Sequence, residues 1–530
     1  TPLGRGVAIH LATTDVGEPD AWVAESFAPS SAGADTVFAL SSGAGRAGVS
    51  VVRISGPRAA DVFSHMVPGR SGGPPVPRKA VLRKMWSPEN AEVENRELID
   101  EVLALWFPGP NSFTGEDTVE LHTHGSRAVI SATLEALGRL DGLRMAEPGE
   151  FTRQAFANGR MELTQVEGLA DLINADTEEQ RKQALRNMGG AQRSKLEGWR
   201  QELLAALAHT EALIDFGEDA EDVTTEALFG AIQKVRRLRS EVEAQLGDGG
   251  RGEVVREGVR VAILGPPNAG KSTLLNALAE RPAAIVSPIA GTTRDVVEVT
   301  LQLGGLPVLL SDTAGLREQT DDPIELQGMQ RASDEAKKAH VQLWVYDVAE
   351  PPTRAAQLDA EAALGSMLGA EAVVPSTPES EAMMEQDVAV RLLVLNKLDL
   401  LQPSATVAAT PAPVGLSPLL APEAQYRLSC ESGEGVQPFL DALAALVASK
   451  YGSSDGEAAL ITRARHREHL RMCADALRSF EEYAALEENA PLDLAAEEIR
   501  IAANELGKVT GRIDVEELLD VIFRDFCIGK

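Results

Sequence analysis

Three short stretches carry residue types that could do chemistry on a nucleotide. "GPPNAGKST" (265–273) fits the spacing G-x-x-x-x-G-K-[ST]. Gly265 and Gly270 leave room for backbone N–H groups to wrap phosphates, with Asn268 and Ala269 in the same loop. Lys271 would meet the outer phosphates, and Ser272, beside Thr273, would ligate Mg²⁺. "SDTAG" (311–315) places Asp312 to reach the Mg²⁺ shell, followed by Thr313, Ala314 and Gly315 near the γ-phosphate. "LNKLD" (395–399) supplies Asn396, Lys397 and Asp399. A carboxylate at Asp399 can accept from guanine N1–H and the exocyclic amine, a pair of donors that adenine lacks. "RLSCESGEG" (427–435) then reads as a base-side loop, with Ser429 and Cys430 against the purine. Three ordered motifs make this a GTPase.

Leu316 follows Gly315, where many small GTPases carry a water-orienting glutamine. Leucine holds no water by hydrogen bonds, so another group must position it and another cation must offset the transition-state charge. Glu325 and Asn268 are the polar candidates nearby. His122, His124 and Glu120 share one face of "TVELHTH" (118–124) but have no third metal ligand, and read as polar-face residues. The closing "FRDFCIGK" (523–530) sets Cys527 near the terminal Lys530. A frayed tail with a surface thiol is the plain reading. A prenylation signal fits badly with Gly529 and a terminal lysine.

The elements that must position these residues follow from periodicity. Each nucleotide motif closes an apolar run with strand character, and a helix pattern follows the first. From Thr36 to about Phe156 the chain reads as short strands, including "VSVVRI" (49–54), "VLALWF" (102–107) and "TVELHTH". From about Leu163 apolar residues recur at helical spacing, and a second helical block starts near Glu457. Its last stripe is Val515, Leu518, Leu519, Ile522 and Phe523. The expected fold is multidomain α/β: an N-terminal α+β domain (36–156), then a helical domain (157–253 and 451–530) interrupted by a Ras-like P-loop domain (254–450). Residues 1–35 read as poorly structured, and 349–388 and 402–424 as pattern-poor surface loops.

The 530 residues suit several domains. Three scattered cysteines form neither a disulfide framework nor a metal spacing, which points to a reducing compartment. No apolar run approaches the roughly 20 residues of a membrane span. Thr1 at the start reads as processing or truncation, so an organelle address could already be gone. A net charge of −30 argues against broad nucleic-acid binding. Local basic faces are offered by Lys234, Arg236, Arg237 and Arg239, and by Arg463, Arg465, His466, Arg467 and Arg471. A solvated helix face is the competing reading of both.

The chain resembles the MnmE (TrmE) tRNA-modification GTPases and their mitochondrial relatives. The resemblance runs from Asp35 onward through "VVRISGP" (51–57), "PNSFTGEDTVELHTHG" (110–125), "EPGEFTRQAFANGRMELTQVEGLADLINA" (147–175), the nucleotide motifs with "AGTTRD" (290–295), and "CIGK". It implies an N-terminal domain that binds folate and forms a homodimer. Arg53, Glu116 and Arg160 would bind a 5-formyl- or methylene-tetrahydrofolate, with Arg160 standing where the family usually has Lys. Lys530 would approach the folate and Cys527 the one-carbon chemistry. The resemblance also implies a K⁺ ion in place of an arginine finger, held by Asn268, Ser287, Ile289 and Thr292. Thr293 would contact Mg²⁺, and Pro288, Ala290 and Gly291 belong to the same nucleotide loop. Glu325 would position the attacking water.

With an FAD-containing MnmG-type partner, the family installs an aminomethyl-type group, carboxymethylaminomethyl or taurinomethyl, on the wobble uridine of tRNA. The long insert loops depart from the family's compact nucleotide domain and favour an organelle, with a bacterial cytoplasm as the alternative. A ribosome-assembly GTPase without one-carbon chemistry is the competing function. It would leave "CIGK" and the first 160 residues unexplained.

Overall fold

The computed structural model describes residues 35–530 apart from 44, 70–71, 89–95, 217–220, 249, 267, 282–283, 286–297, 313–335, 349–388, 402–423, 453–460, 487–489, 513–521, 524–525, 527 and 530. The described chain divides into two compact units, one reaching to Ala170 and taking in the described part of 514–530, the other spanning Asp171–Ile513.

The first unit is built on β1 (Thr36–Leu40), β2 (Ala47–Ser55), α1 (Asp61–His65), β3 (Val81–Trp86), β4 (Leu98–Phe107), β5 (Thr118–Gly125), α2 (Arg127–Gly138), β6 (Leu143–Met145), α3 (Glu150–Ala157) and the start of α4 (Leu163–Ile173). Its sheet runs β3-β4-β5-β2-β1-β6, antiparallel except for the β1–β6 pair. Alternation decides the two faces. Val52, Ile54, Val102, Ala104, Val119 and Leu121 pack with Phe63 and Leu137 in the core. The intervening Arg53 and Glu120 occupy the other face as direct cross-strand partners. Ser126 starts α2 by accepting from the Val129 amide at 3.2 Å.

This compact unit runs to Ala170 and takes in the described end of the chain. The physical reason is aromatic burial: Ile522, Phe523 and Phe526 pack with Leu163, Val166 and Ala170. Ile528 then forms a β-bridge with Pro148. Gly529 (φ +95°) runs so close to β1 that a Cβ would stand 1.9 Å from the Leu40 carbonyl oxygen. The described part of the tail is therefore docked, not frayed. Val515, Leu518, Leu519, Cys527 and Lys530 lie outside the described residues.

The second unit holds α5 (Glu178–Met188), α6 (Ala191–Phe216), α7 (Glu221–Leu246), α8 (Arg251–Glu257), β7 (Val259–Leu264), α9 (Lys271–Ala279), β8 (Ala284–Ile285), β9 (Glu298–Leu303), β10 (Leu306–Asp312), β11 (Val341–Asp347), β12 (Val390–Asn396), β13 (Ala424–Arg427), α10 (Val436–Tyr451), α11 (Ala464–Ala484) and α12 (Leu492–Thr510). Helices α6, α7, α11 and α12 bury one core that includes Trp199, Leu238, Leu477, Phe480 and Ile499. Between α8 and α11 the chain forms a sheet ordered β13-β12-β11-β7-β10-β9-β8. The five strands from β13 to β10 are mutually parallel. Strand β7 is buried on both faces: Val259, Val261 and Ile263 face one core, Ala262 and Leu264 the other.

Candidate functional site

Parallel strands deliver their C-terminal ends to one edge, where open α/β sheets bind ligands. Strand β7 ends in the phosphate-loop sequence, β10 in Asp312, β12 in Asn396, and β13 leads through Leu428 to Ser429. Asp312 lies in register with Ile263, and Asn396 with Asp347. Residues about 165 positions apart in sequence, from the end of β7 to Ser429, are thus brought to one edge by topology alone.

The phosphate loop is sprung between β7 and α9. Asn268 adopts φ +62° and Gly270 φ +92°. A Cβ on Gly270 would stand 2.2 Å from Asn396 Nδ2, so only glycine fits there. Lys271 is 7% exposed, and its ammonium donates to the carbonyls of Gly265 and Pro266 at 2.9 Å each. Those dipoles offset the desolvation of a buried charge and fix it at the loop. Asn268, Ser272 and Thr273 are exposed at the same turn.

Asn396 splices the phosphate loop to the base loop. Its amide donates to the Ala269 carbonyl at 3.1 Å while its Oδ1 accepts from the Cys430 amide at 3.2 Å. Lys397 takes φ +66° and its ammonium meets Asp347 at 2.7 Å. Ser429 Oγ donates to Asp399 Oδ1 at 2.5 Å and accepts from the Ser432 amide at 3.1 Å. That aims one carboxylate oxygen and leaves the other as an acceptor for a base edge. Asp347 is the residue that sequence reasoning missed; its signal was the acidic end of an otherwise apolar strand. Burial pushes the Cys430 thiol up to about 11, against the opposing hydrogen bond from Asn396 and with a further push from Asp399. It is neutral at physiological pH and acts as a packing group, not a nucleophile.

Several expected residues fall outside the described part: Ser287, Pro288, Ile289, Ala290, Gly291, Thr292 and Thr293, then Thr313, Ala314, Gly315 and Glu325. Of Asp312 only the backbone is placed.

The first unit holds a second cluster. Arg53 on β2 donates to Glu120 through Nε at 3.1 Å and Nη2 at 2.9 Å. Its guanidinium carbon lies 5.0 Å from the Phe113 ring centre and 5.6 Å from that of Phe151. Phe113 shares the 109–117 loop with Glu116. Asn158, just past α3, ties that loop down by donating to the Thr114 carbonyl at 2.8 Å. Arg160 follows two residues later and is exposed. Arg53 lies against Phe113 of this loop, and Arg160 runs beside its Gly115.

Glu116 Oε2 is buried without a hydrogen-bond partner among the described residues. Burial raises this carboxyl above its ordinary range, with Asp117 adding and the Asn158 amide opposing. A raised carboxyl pKa means that the ionised form opposes folding above that value, and that the penalty fades as pH falls to the ordinary carboxylate range. Glu116→Gln is expected to raise the melting temperature at neutral pH, with the gap closing at acid pH. Thermal unfolding across pH reads this directly; a pH-independent gap would contradict it. The same orphan oxygen suits a ligand edge with two adjacent N–H donors, beside an aromatic ring that is 37% exposed at Phe113. These residues fit a reduced pterin.

The strand histidines and basic runs have local partners. His124 meets Asp100 at 2.7 Å, and His122 stands 3.8 Å from Glu120. Arg236 and Arg239 pair with Glu481, and Arg237 with Glu202 and Glu241. Arg463 pairs with Asp171, Arg467 with Asp248 and Glu253, and Arg471 with Glu468. Arg465 donates to the Lys508 and Val509 carbonyls, and buried His466 meets Gln192 at 3.1 Å. Lys234 is exposed. Most of these cations are thus paired with acids of the helices rather than left as a solvated or nucleic-acid-binding face.

Comparison with known proteins covers both units. The family model "GTP-binding protein TrmE N-terminus" matches residues 36–160, and "MnmE helical domain" matches 163–527. A tRNA modification GTPase MnmE from Parvibaculum lavamentivorans is 47% identical over 496 residues, covering 94% of this chain and all of that protein. The mitochondrial 5-taurinomethyluridine-[tRNA] synthase subunit GTPB3 of Homo sapiens is 45% identical over 503 residues, 95% of each chain. Among solved structures, Era from Aquifex aeolicus, bound to GDP and aluminium fluoride, covers 41% of this chain and 66% of its own at 21% identity and a TM-score of 0.25. That likeness is too slight to bear on function.

Proposed function

The chain belongs to the MnmE (TrmE) family, and on that premise we propose that it is a GTP-hydrolysing, folate-dependent subunit of tRNA uridine modification. The observation that carries the GTPase half is the Asn396 splice together with the Ser429-aimed carboxylate of Asp399. Asp399 reads the guanine edge, and the buried Lys271 offsets phosphate charge. Ser272, Thr293 and Asp312 would hold Mg²⁺, which supplies further charge neutralisation. Asn268, Ser287, Ile289 and Thr292 would hold K⁺ at the place an arginine finger serves elsewhere. Glu325 orients the attacking water, the role that Leu316 cannot fill.

Glu116 accepts from the N–H edge of a tetrahydrofolate, which supplies the one-carbon unit. Arg53 and Arg160 fix its orientation, and Cys527 and Lys530 would serve the one-carbon chemistry there, as the family resemblance implies. The modified base is the wobble uridine of tRNA, and an FAD-containing MnmG-type partner acts with a homodimer formed through the first unit. An organelle, the mitochondrion first, is the proposed compartment. Its support is the long insert loops together with a mitochondrial relative, alongside bacterial ones. No helix among the described residues is long and apolar enough to cross a membrane.

The test is GTP hydrolysis in K⁺ and in Na⁺ at matched ionic strength. K⁺ is expected to stimulate turnover by roughly tenfold or more, and Asn268→Ala to abolish the difference, since an oriented cation acts on transition-state charge. Equal rates in both salts would remove the K⁺ assignment.

A further inference from the structure

Arg53 is already neutralised inside the protein. Glu120, its register partner on β5, takes both Nε and Nη2 of the guanidinium on a single oxygen, Oε1. Phe113 and Phe151 lie against the same group at 5.0 and 5.6 Å. The other carboxylate oxygen, Oε2, faces His122 Nε2 at 3.8 Å, and that nitrogen is buried with no hydrogen-bond partner among the described residues. The neighbours of His122 across the sheet, Val51 and Leu103, are aliphatic. An arginine held this way is not a general anion trap. It is a donor of fixed direction, with one edge spent on Glu120 and the other presented beside the loop that carries Glu116.

We infer that Glu120 is a positioning residue of the folate site, aiming Arg53 rather than touching the ligand. The inference rests on the folate reading above. A carboxylate on the sheet face opposite the core stabilises the sheet only as one more cross-strand pair. Its placement against a histidine and against an arginine that two rings flank is more than that role requires. Removing it frees the guanidinium to rotate, and preorganised geometry is what the bound ligand uses.

The test measures binding of 5-formyl-tetrahydrofolate to the full chain by calorimetry. Glu120→Ala is expected to weaken binding about tenfold or more, and Glu120→Gln, which keeps an acceptor oxygen, to stay within about threefold of the natural chain. In an Arg53→Ala background, Glu120→Ala is expected to add nothing, because a residue acting through Arg53 has no route left. An unchanged near-ultraviolet circular dichroism spectrum, which reports the packing of the first unit's aromatic side chains, shows that each variant is folded. Equal losses in both backgrounds, or no loss while the unaltered chain binds, would overturn the inference. Should the unaltered chain bind no folate, the folate reading fails. The aiming is then read from the Arg53 Nε–H resonance in arginine-labelled protein. Slow exchange lost in Glu120→Ala supports the aim, and an unchanged signal overturns it.

Discussion

Asp399→Asn moves the nucleotide preference of this chain from GTP to xanthosine triphosphate. Guanine offers N1–H and an exocyclic amine, and a carboxylate accepts both. Xanthine carries an oxygen in place of the amine, which an asparagine amide can meet as a donor while its own oxygen still accepts from N1–H. Ser429 Oγ holds Asp399 Oδ1 at 2.5 Å, so the group is already aimed and the exchange changes chemistry rather than position. Loss of charge-assisted bonds to the base is worth several kcal/mol, and GTP affinity is expected to fall by about 100-fold or more. Competition binding with the two triphosphates measures it. An equal loss of both would mean that the loop had collapsed, and unchanged GTP binding would mean that Asp399 does not read the base.

Gly529→Ala separates the two halves of the function. At φ +95° and with the Leu40 carbonyl oxygen 1.9 Å from where a Cβ would go, alanine cannot take the native position. The Ile528–Pro148 bridge beside it must open. Phe523 and Phe526 remain buried, so the chain stays folded while its last residues lose their register. Displacing a reacting group by about 1 Å can cost about 100-fold. The expected result is a loss of tRNA modification on that scale with GTP hydrolysis intact. Modification unaffected by the substitution would return the tail to the plain reading of a surface end with a thiol.

The nucleotide edge was legible because its signals are local. Each motif sits at the end of an apolar run, and the parallel order of β12, β11, β7 and β10 brings those ends together. The strands around "VSVVRI", "VLALWF" and "TVELHTH" were legible for the same reason, as alternation and β-branched content are short-range properties. What sequence could not give were the long-range pairings. Nothing in "DTVELHTH" says that Glu120 takes Arg53, 67 positions earlier, because that partnership is set by strand order. Nothing in Asp347 marks it as the partner of Lys397. The tail's membership of the first unit depends on two phenylalanines finding Leu163 and Val166, a contact that helical periodicity assigns to the bundle. The partners of the basic runs were hidden for a related reason. A count of arginines records charge, but the acids that neutralise them, Glu481, Asp171 and Glu253, lie on other elements.

The central claim is that guanine-nucleotide hydrolysis on one unit is coupled to uridine chemistry that uses the other. The most direct measurement incubates the chain with an MnmG-type FAD partner, reduced folate, an amine donor and unmodified tRNA, and follows the wobble nucleoside by mass spectrometry. A mass gain of the aminomethyl type is predicted with GTP. It is predicted to be absent with a non-hydrolysable GTP analogue, and absent again when folate is withheld. Modification at full rate with the analogue, or without folate, would contradict the account.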